Sequence, residues 1–344
     1  MLPLHARDCW FLTGPTASGK SAVGVELARR IGAEIISLDS MALYRGMDIG
    51  TAKPAPEQRR NVPHHLIDII EPHEEYSLAQ YVAAAEECVR EIIGRGRPAL
   101  FVGGTPLYLK GLLRGIFEGP PADWTLRHRL AEEARRGGSE TLHRRLMEVD
   151  AGAAARLHPN DTRRLIRALE VCEKTGRPIS ELQRQFEVGR PAEQCRVFVL
   201  DWPKPELHGR IDRRVETMFA AGLVDEVRRL LGKMGTGASS DANLVTSAGC
   251  GSEPGPIFPK PLSKNARQAV GYREVIEHIE DRRGLSETIA LVQQHTRQLA
   301  KRQSTWFRSL SECRFVAVSG QVDAAETAER IESVGCALPE CRSY

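Results

Sequence analysis

The chain has 344 residues, 41% of them hydrophobic, and a net charge of only +3; this is enough for one large globular domain plus a smaller one and gives no global case for nucleic-acid binding. No apolar run approaches the ~20 residues that cross a bilayer, and the N-terminus lacks a basic-then-apolar signal pattern, so a cytoplasmic protein without membrane attachment is expected. Eight cysteines without a C-x-x-C pair argue against a zinc knuckle and against a disulfide framework.

In chain order the first predicted element is a buried strand, Cys9-Trp10-Phe11-Leu12. Next come Gly14-Pro15-Thr16-Ala17-Ser18-Gly19-Lys20-Ser21 and a helix with Val23, Leu27, Ala28 and Ile31 at helical spacing. The eight residues fit G-x-x-x-x-G-K-[ST], a loop whose backbone N–H groups, lysine and hydroxyl hold a di- or triphosphate with its Mg²⁺. The helix N-terminus adds free N–H groups and the positive end of its dipole. The motif alone names neither ligand nor reaction.

A second strand, Glu34–Leu38, ends at Asp39 and continues into Ser40-Met41-Ala42-Leu43-Tyr44-Arg45-Gly46-Met47-Asp48-Ile49-Gly50-Thr51-Ala52-Lys53-Pro54. A carboxylate at the carboxyl end of a parallel strand sits where open α/β sheets place their ligands. Asp39 reads as a Mg²⁺ ligand, a general base or a helix N-cap. Further strands are expected near Leu66–Ile69 and Ala99–Val102. The latter leads into Gly103-Gly104-Thr105-Pro106, where two glycines allow close backbone approach and Thr105 either caps the next helix or meets substrate.

From about Thr125 to Gln185 the pattern is helical and strand-free, which predicts an inserted helical subdomain acting as a lid or substrate-gripping arm. Strands near Val197–Leu200 and Phe315–Val318 complete an α/β pattern: a parallel sheet with helices on both faces. Gly232–Lys260, rich in Gly, Ser and Pro, predicts a long flexible loop. Lys264–His278 and Leu285–Leu310 read as helices, the second carrying Leu299, Gln303, Trp306 and Leu310 on one stripe, with Trp306 in the core. The expected division is a core of 1–118 and 194–320, a helical subdomain of 119–193 and a tail of 321–344. Arg163, Arg164 and Arg167 cluster on one helix; Arg297, Lys301 and Arg308 share a face of another. By spacing alone both clusters are solvated helix faces.

Three of these blocks, Gly14–Ser21, Asp39–Pro54 and Gly103-Gly104-Thr105, resemble the tRNA dimethylallyltransferases, also called isopentenyl-diphosphate:tRNA transferases. The likeness continues through Asp123 with Arg127, Pro159-Asn160-Asp161 and Arg163–Glu170, then Arg210-Ile211 with Arg214. Gln268–Glu274 and Thr296–Gln303 before Trp306 extend it, so that it covers roughly residues 8 to 310. The resemblance implies a P-loop NTPase-like, kinase-like core that holds the pyrophosphate of dimethylallyl diphosphate instead of ATP. It would pass the dimethylallyl group to N6 of the adenosine just 3′ of the anticodon of a tRNA. The roles it implies are Asp39 as base and Thr105 as its partner near the bridging oxygen or the attacking amine. Gly14 through Ser21 and Arg214 would bind the diphosphate, with Lys20, Ser21 with Mg²⁺, and Arg214 neutralising it as it leaves.

For tRNA the resemblance implies contacts from Asp39, Ser40, Met41, Ala42 and Thr105, from Arg127 and the run Arg163, Arg164, Leu165, Ile166 and Arg167, and from Arg297 and Lys301. It thus raises both basic clusters from solvated faces to RNA contacts with the anticodon stem-loop. The chain departs from the family at Ala42, where many relatives carry Gln, at Trp124, where Pro is frequent, and in Gly232–Lys260, which looks like an insertion. The eukaryotic zinc-finger extension is absent, as in the bacterial type. The runner-up is an ATP-dependent small-molecule kinase on the same fold; a nonenzymatic RNA-binding regulator is the third reading. Without sustained heptads or an interface helix, a monomer is expected.

Overall fold

The computed structural model describes residues 9–117, 119–232 and 261–338. They fall into two compact units, one of residues 110–190 and one of residues 9–109 with 191–232 and 261–338.

The larger unit is built on a parallel sheet of six strands: β1 (Trp10–Thr13), β2 (Glu34–Ser37), β3 (His64–His65), β4 (Ala99–Gly103), β5 (Val197–Asp201) and β6 (Arg314–Ala317), in the order β3-β2-β4-β1-β5-β6. β1, β4 and β5 read as near-continuous apolar runs because helices cover both faces. On one face Trp10 stacks with Phe198, and Leu12, Val23, Leu27, Ile211, Ala300 and Ile331 join them in one core. On the other, Phe11 stacks on Phe101 at 4.8 Å. The period-2 alternation of a strand sends Trp10 and Phe11 to opposite faces.

The register brings the carboxyl ends into line. Thr13 sits opposite Gly103, and Ser37 opposite Val102. Beyond the ladder, Leu38 N–H donates to the Val102 carbonyl at 2.9 Å and Thr105 N–H donates to the Leu38 carbonyl at 3.1 Å. A Cβ at position 103 would lie 2.2 Å from the Leu38 carbonyl, so the close approach of these two strand ends requires glycine there.

The smaller unit is helical, with helices Trp124–Gly137, Ser139–Val149 and Thr162–Thr175 around Leu130, Leu142, Leu146, Leu165 and Leu169. Asp123 and Asp161 cap two of them through their carboxylates, at Leu126 N and Arg164 N.

Four expectations change. The third strand is His64–His65 and not Leu66–Ile69, because Leu66 and Asp68 turn into left-handed backbone at φ 57° and 58°. That turn carries the Asp68 carboxylate to Lys53 Nζ at 2.6 Å and Arg59 Nη1 at 2.9 Å. The helix expected over Lys264–His278 breaks into Lys264–Arg267 and Tyr272–Ile279 around Gly271. The helix Leu285–Arg308 forms, but its buried stripe is Thr288, Val292, Ala300 and Phe307, which leaves Trp306 exposed and not in the core. Finally, the expected tail contains the helix Ala324–Cys336, with Ala328 and Ile331 in the core and Arg30 Nε donating to Glu332 at 2.7 Å. Of the expected loop 232–260, all but Gly232 lies outside the described residues. Among the described residues no helix is long and apolar enough to cross a membrane.

Candidate active site

Between β1 and the helix Lys20–Ile31 the chain makes a tight loop, with Ala17 at φ 64° and Gly19 at φ 88°. Successive turns of this kind point backbone N–H groups toward a common centre, where an anion is held. Several side chains fix the loop from outside. Gln303 accepts from Thr16 N at 2.9 Å and donates to the Gly104 carbonyl at 2.6 Å, joining the loop to the β4 end. Arg210 Nε donates to the Ala17 carbonyl at 2.9 Å, Trp202 Nε1 donates to the Ser18 carbonyl at 3.0 Å, and the Arg210 guanidinium lies over the Trp202 ring. Of these ties only the one at Thr16 uses a loop N–H, and Ser18 N–H turns back to the Pro15 carbonyl at 3.3 Å.

Lys20 Nζ reaches the Pro15 carbonyl at 3.2 Å. Burial and the neighbouring Arg214 cation lower its pKa to about 8, while Asp39 pulls the other way. Burial likewise lowers the Arg214 guanidinium from its ordinary value, with Asp39 opposing. Arg214 also donates to the Thr51 carbonyl at 3.4 Å. Two partly desolvated cations thus crowd one carboxylate, a charge arrangement that an entering anion relieves. The buried Ser18 hydroxyl has no hydrogen-bond partner among the described residues. Ser21, in the first turn of the helix, is exposed.

Asp39 lies two residues beyond the end of β2. Its Oδ1 accepts from Met41 N at 2.9 Å, so the carboxylate closes a local turn and caps no regular helix. Among the described residues Oδ2 takes no hydrogen bond. Thr105 precedes the helix Pro106–Arg114, yet its hydroxyl accepts from Ser40 N at 3.1 Å. That bond spans from the β4 end to the residue after Asp39 and holds the carboxylate's own backbone. Ser40 and Met41 are half-buried and Ala42 is buried.

Of the residues expected on RNA, Arg297 is ion-paired with Asp212, and Lys301 is exposed with no ion pair among the described residues. Arg127 and the Arg163–Arg167 run belong to the helical unit. Arg163 and Arg164 are exposed and Ile166 is half-buried, but Leu165 is fully buried in that unit's core and presents no side chain outward. Arg127 and Arg167 both hold the buried Glu170 carboxylate, Arg127 through two bonds of 2.8 Å, and Asp123 N–H adds a third donor at 2.7 Å. Burial works to raise the Glu170 pKa, but these donors outweigh it and lower it to about 2 from 4.5.

A carboxyl held below its unfolded value stabilises the fold above that value, and the contribution is lost as pH falls through about 2. Glu170→Gln is therefore expected to cost about 3 kcal/mol at pH 7 and much less at pH 2. Urea denaturation of both proteins at the two pH values measures the difference.

Gln303, Arg210 and Trp202 escaped the sequence reading as site residues. Gln303 and Arg210 stand inside the blocks that carry the resemblance, but only the packing shows that they brace the loop. Among the described residues no group of three or more His, Cys, Asp or Glu side chains converges to hold a metal.

Comparisons with known proteins give the family. The family described as IPP transferase matches residues 42–310, and that described as isopentenyl transferase matches residues 7–68. The tRNA dimethylallyltransferase of Rhodopirellula baltica is 44% identical over 335 residues, 95% of this chain and 93% of that protein. Its counterpart in Thermotoga petrophila is 42% identical, over 93% of this chain and 95% of its own length. The crystal structure of the tRNA isopentenylpyrophosphate transferase from Bacillus halodurans superposes with a TM-score of 0.65 at 33% identity, covering 96% of this chain and 97% of that one. A eukaryotic dimethylallyltransferase acting on tRNA shares the fold, with a TM-score of 0.68 at 23% identity over 90% of this chain and 73% of its own. With a family match across most of its length and relatives this similar end to end, the chain belongs to the tRNA dimethylallyltransferase family.

Proposed function

We propose that this chain transfers the dimethylallyl group of dimethylallyl diphosphate to N6 of the adenosine just 3′ of the anticodon of a tRNA, releasing pyrophosphate. The observation that carries the reading is the uncommitted Oδ2 of Asp39 in the field of Lys20 and Arg214. An adenine amino group is a weak nucleophile and needs both a proton acceptor and a stabilised leaving group. N6 attacks the dimethylallyl C1, the C1–O bond breaks with its electron pair going to the diphosphate, and Asp39 takes the N6 proton. Lys20, Arg214 and the N–H groups of the Gly14–Ser21 loop hold the charge that develops on the departing pyrophosphate. Thr105 fixes the Asp39 segment through Ser40 N.

Mg²⁺ is part of the proposal. The exposed Ser21 hydroxyl is a hard oxygen donor, which suits a cation that takes most of its other ligands from phosphate and water. Bound there, it would offset charge on the diphosphate. The RNA is engaged through exposed cations, Arg163, Arg164 and Lys301, whose backbone contacts repay the roughly few kcal/mol of turning the adenine out of its stack. A cytoplasmic monomer completes the reading. The kinase alternative is not favoured, since the relatives are tRNA dimethylallyltransferases.

The test is incubation with Mg²⁺, labelled dimethylallyl diphosphate and unmodified tRNA bearing that adenosine, followed by nucleoside analysis. Isopentenyladenosine is the expected product. Label staying out of the RNA while ATP is consumed with small acceptors would overturn the reading.

A further inference from the structure

Downstream of Asp39, the turn Asp48–Lys53 carries the Thr51 carbonyl that receives Arg214. Three successive backbone N–H groups of this turn converge on one carboxylate from a distant helix. Glu226, on the helix Leu223–Leu230, accepts from Asp48 N at 2.9 Å and Ile49 N at 2.7 Å on Oε2, and from Gly50 N at 3.2 Å on Oε1. Its fourth donor is the Tyr272 hydroxyl, at 2.6 Å from Oε1. Glu226 is 2% exposed and Tyr272 is fully buried. Three consecutive N–H groups form an anion-binding concavity, and here the protein's own carboxylate fills it. Four donors on a buried carboxylate satisfy its charge without a cation.

Tyr272 also packs flat against the turn. A Cβ at Gly50 would lie 2.5 Å from its ring, so no larger residue fits between them. Lys53, 2% exposed at its side chain, closes the far end through Asp48 at 2.8 Å and Asp68 at 2.6 Å. The turn is therefore held at both ends, and its Thr51 carbonyl meets Arg214.

We propose that Glu226 and Tyr272 are positioning residues: they clamp the Asp48–Gly50 backbone and thereby hold Arg214 in place to receive the diphosphate. Neither residue touches the reacting atoms. The inference rests on the proposed diphosphate site, and pyrophosphate binding tests the two separately.

Titrating pyrophosphate with Mg²⁺ into the wild-type chain should show saturable binding, weakened about tenfold in Glu226→Gln and about threefold in Tyr272→Phe. In an Arg214→Ala background both substitutions should have no further effect, because the clamp acts through that guanidinium; a residue that only stabilises the fold would weaken binding equally in both backgrounds. Tyr272→Phe removes one hydroxyl and keeps the ring on Gly50, so it reports even if Glu226→Gln does not fold. Wild-type affinity in a folded Tyr272→Phe protein, or losses that add to that of Arg214→Ala, would overturn the clamp. A wild-type chain that binds no pyrophosphate would overturn the site reading and the clamp's role with it.

Discussion

Asp39→Asn is expected to reduce transfer by about 10³-fold while leaving tRNA affinity within a few-fold, in line with the roughly 10²–10⁴-fold that a positioned general base contributes. The asparagine is the sharper variant than alanine. Its side-chain oxygen can still accept from Met41 N, the bond that Asp39 Oδ1 makes at 2.9 Å, so the local turn survives. What it lacks is a second carboxylate oxygen able to take a proton. Asp39→Ala loses both and should be at least as inactive. Single-turnover transfer with saturating tRNA, alongside filter binding of the same RNA, separates chemistry from binding. Near-normal turnover by Asp39→Asn would remove this carboxylate from the mechanism.

Lys20 gives the second large effect and carries a pH signature. Burial and Arg214 bring its pKa down to about 8 in the free site, so it is charged below that pH and neutral above it. An anionic substrate binds the charged form. Thus kcat/KM for dimethylallyl diphosphate, which reports the free enzyme, should be level below about pH 8 and fall as pH rises beyond it. Bound diphosphate favours the protonated amine and pushes its pKa up, so kcat should hold to higher pH. Lys20→Ala removes the charge at every pH: kcat/KM should drop by about 10²–10³-fold, and the alkaline fall should disappear. Unchanged steady-state kinetics in that variant, or the same alkaline limb, would overturn the role.

These predictions show which parts of the site were open to reading in the chain itself. The glycine loop, the strand-end carboxylate and the Gly103-Gly104-Thr105 turn are local patterns, each set by the backbone geometry of a few adjacent residues. They appear in the structure where the pattern put them: β1, β2 and β4 end side by side. The helices of the smaller unit follow from amphipathic periodicity over many residues. Trp306 shows where periodicity fails. Leu299 and Ala300 are adjacent and both apolar, so two stripes one residue apart fit the helix, and packing of Val292, Ala300 and Phe307 into the core chose between them.

What the sequence by itself determined was the class of fold and the local patterns at the strand ends, the glycine loop, the carboxylate and the Gly103-Gly104-Thr105 turn, since all of these follow from short-range spacing. Only the tertiary structure decided how those residues are held. Gln303 meets Thr16 from 287 positions away, Glu226 meets Asp48 from 178, and Arg127 meets Glu170 across 43. A charge or an amide in a sequence has many possible partners, and the one it takes is fixed by which buried groups would otherwise lose their hydrogen bonds, a condition that exists only once the chain has folded.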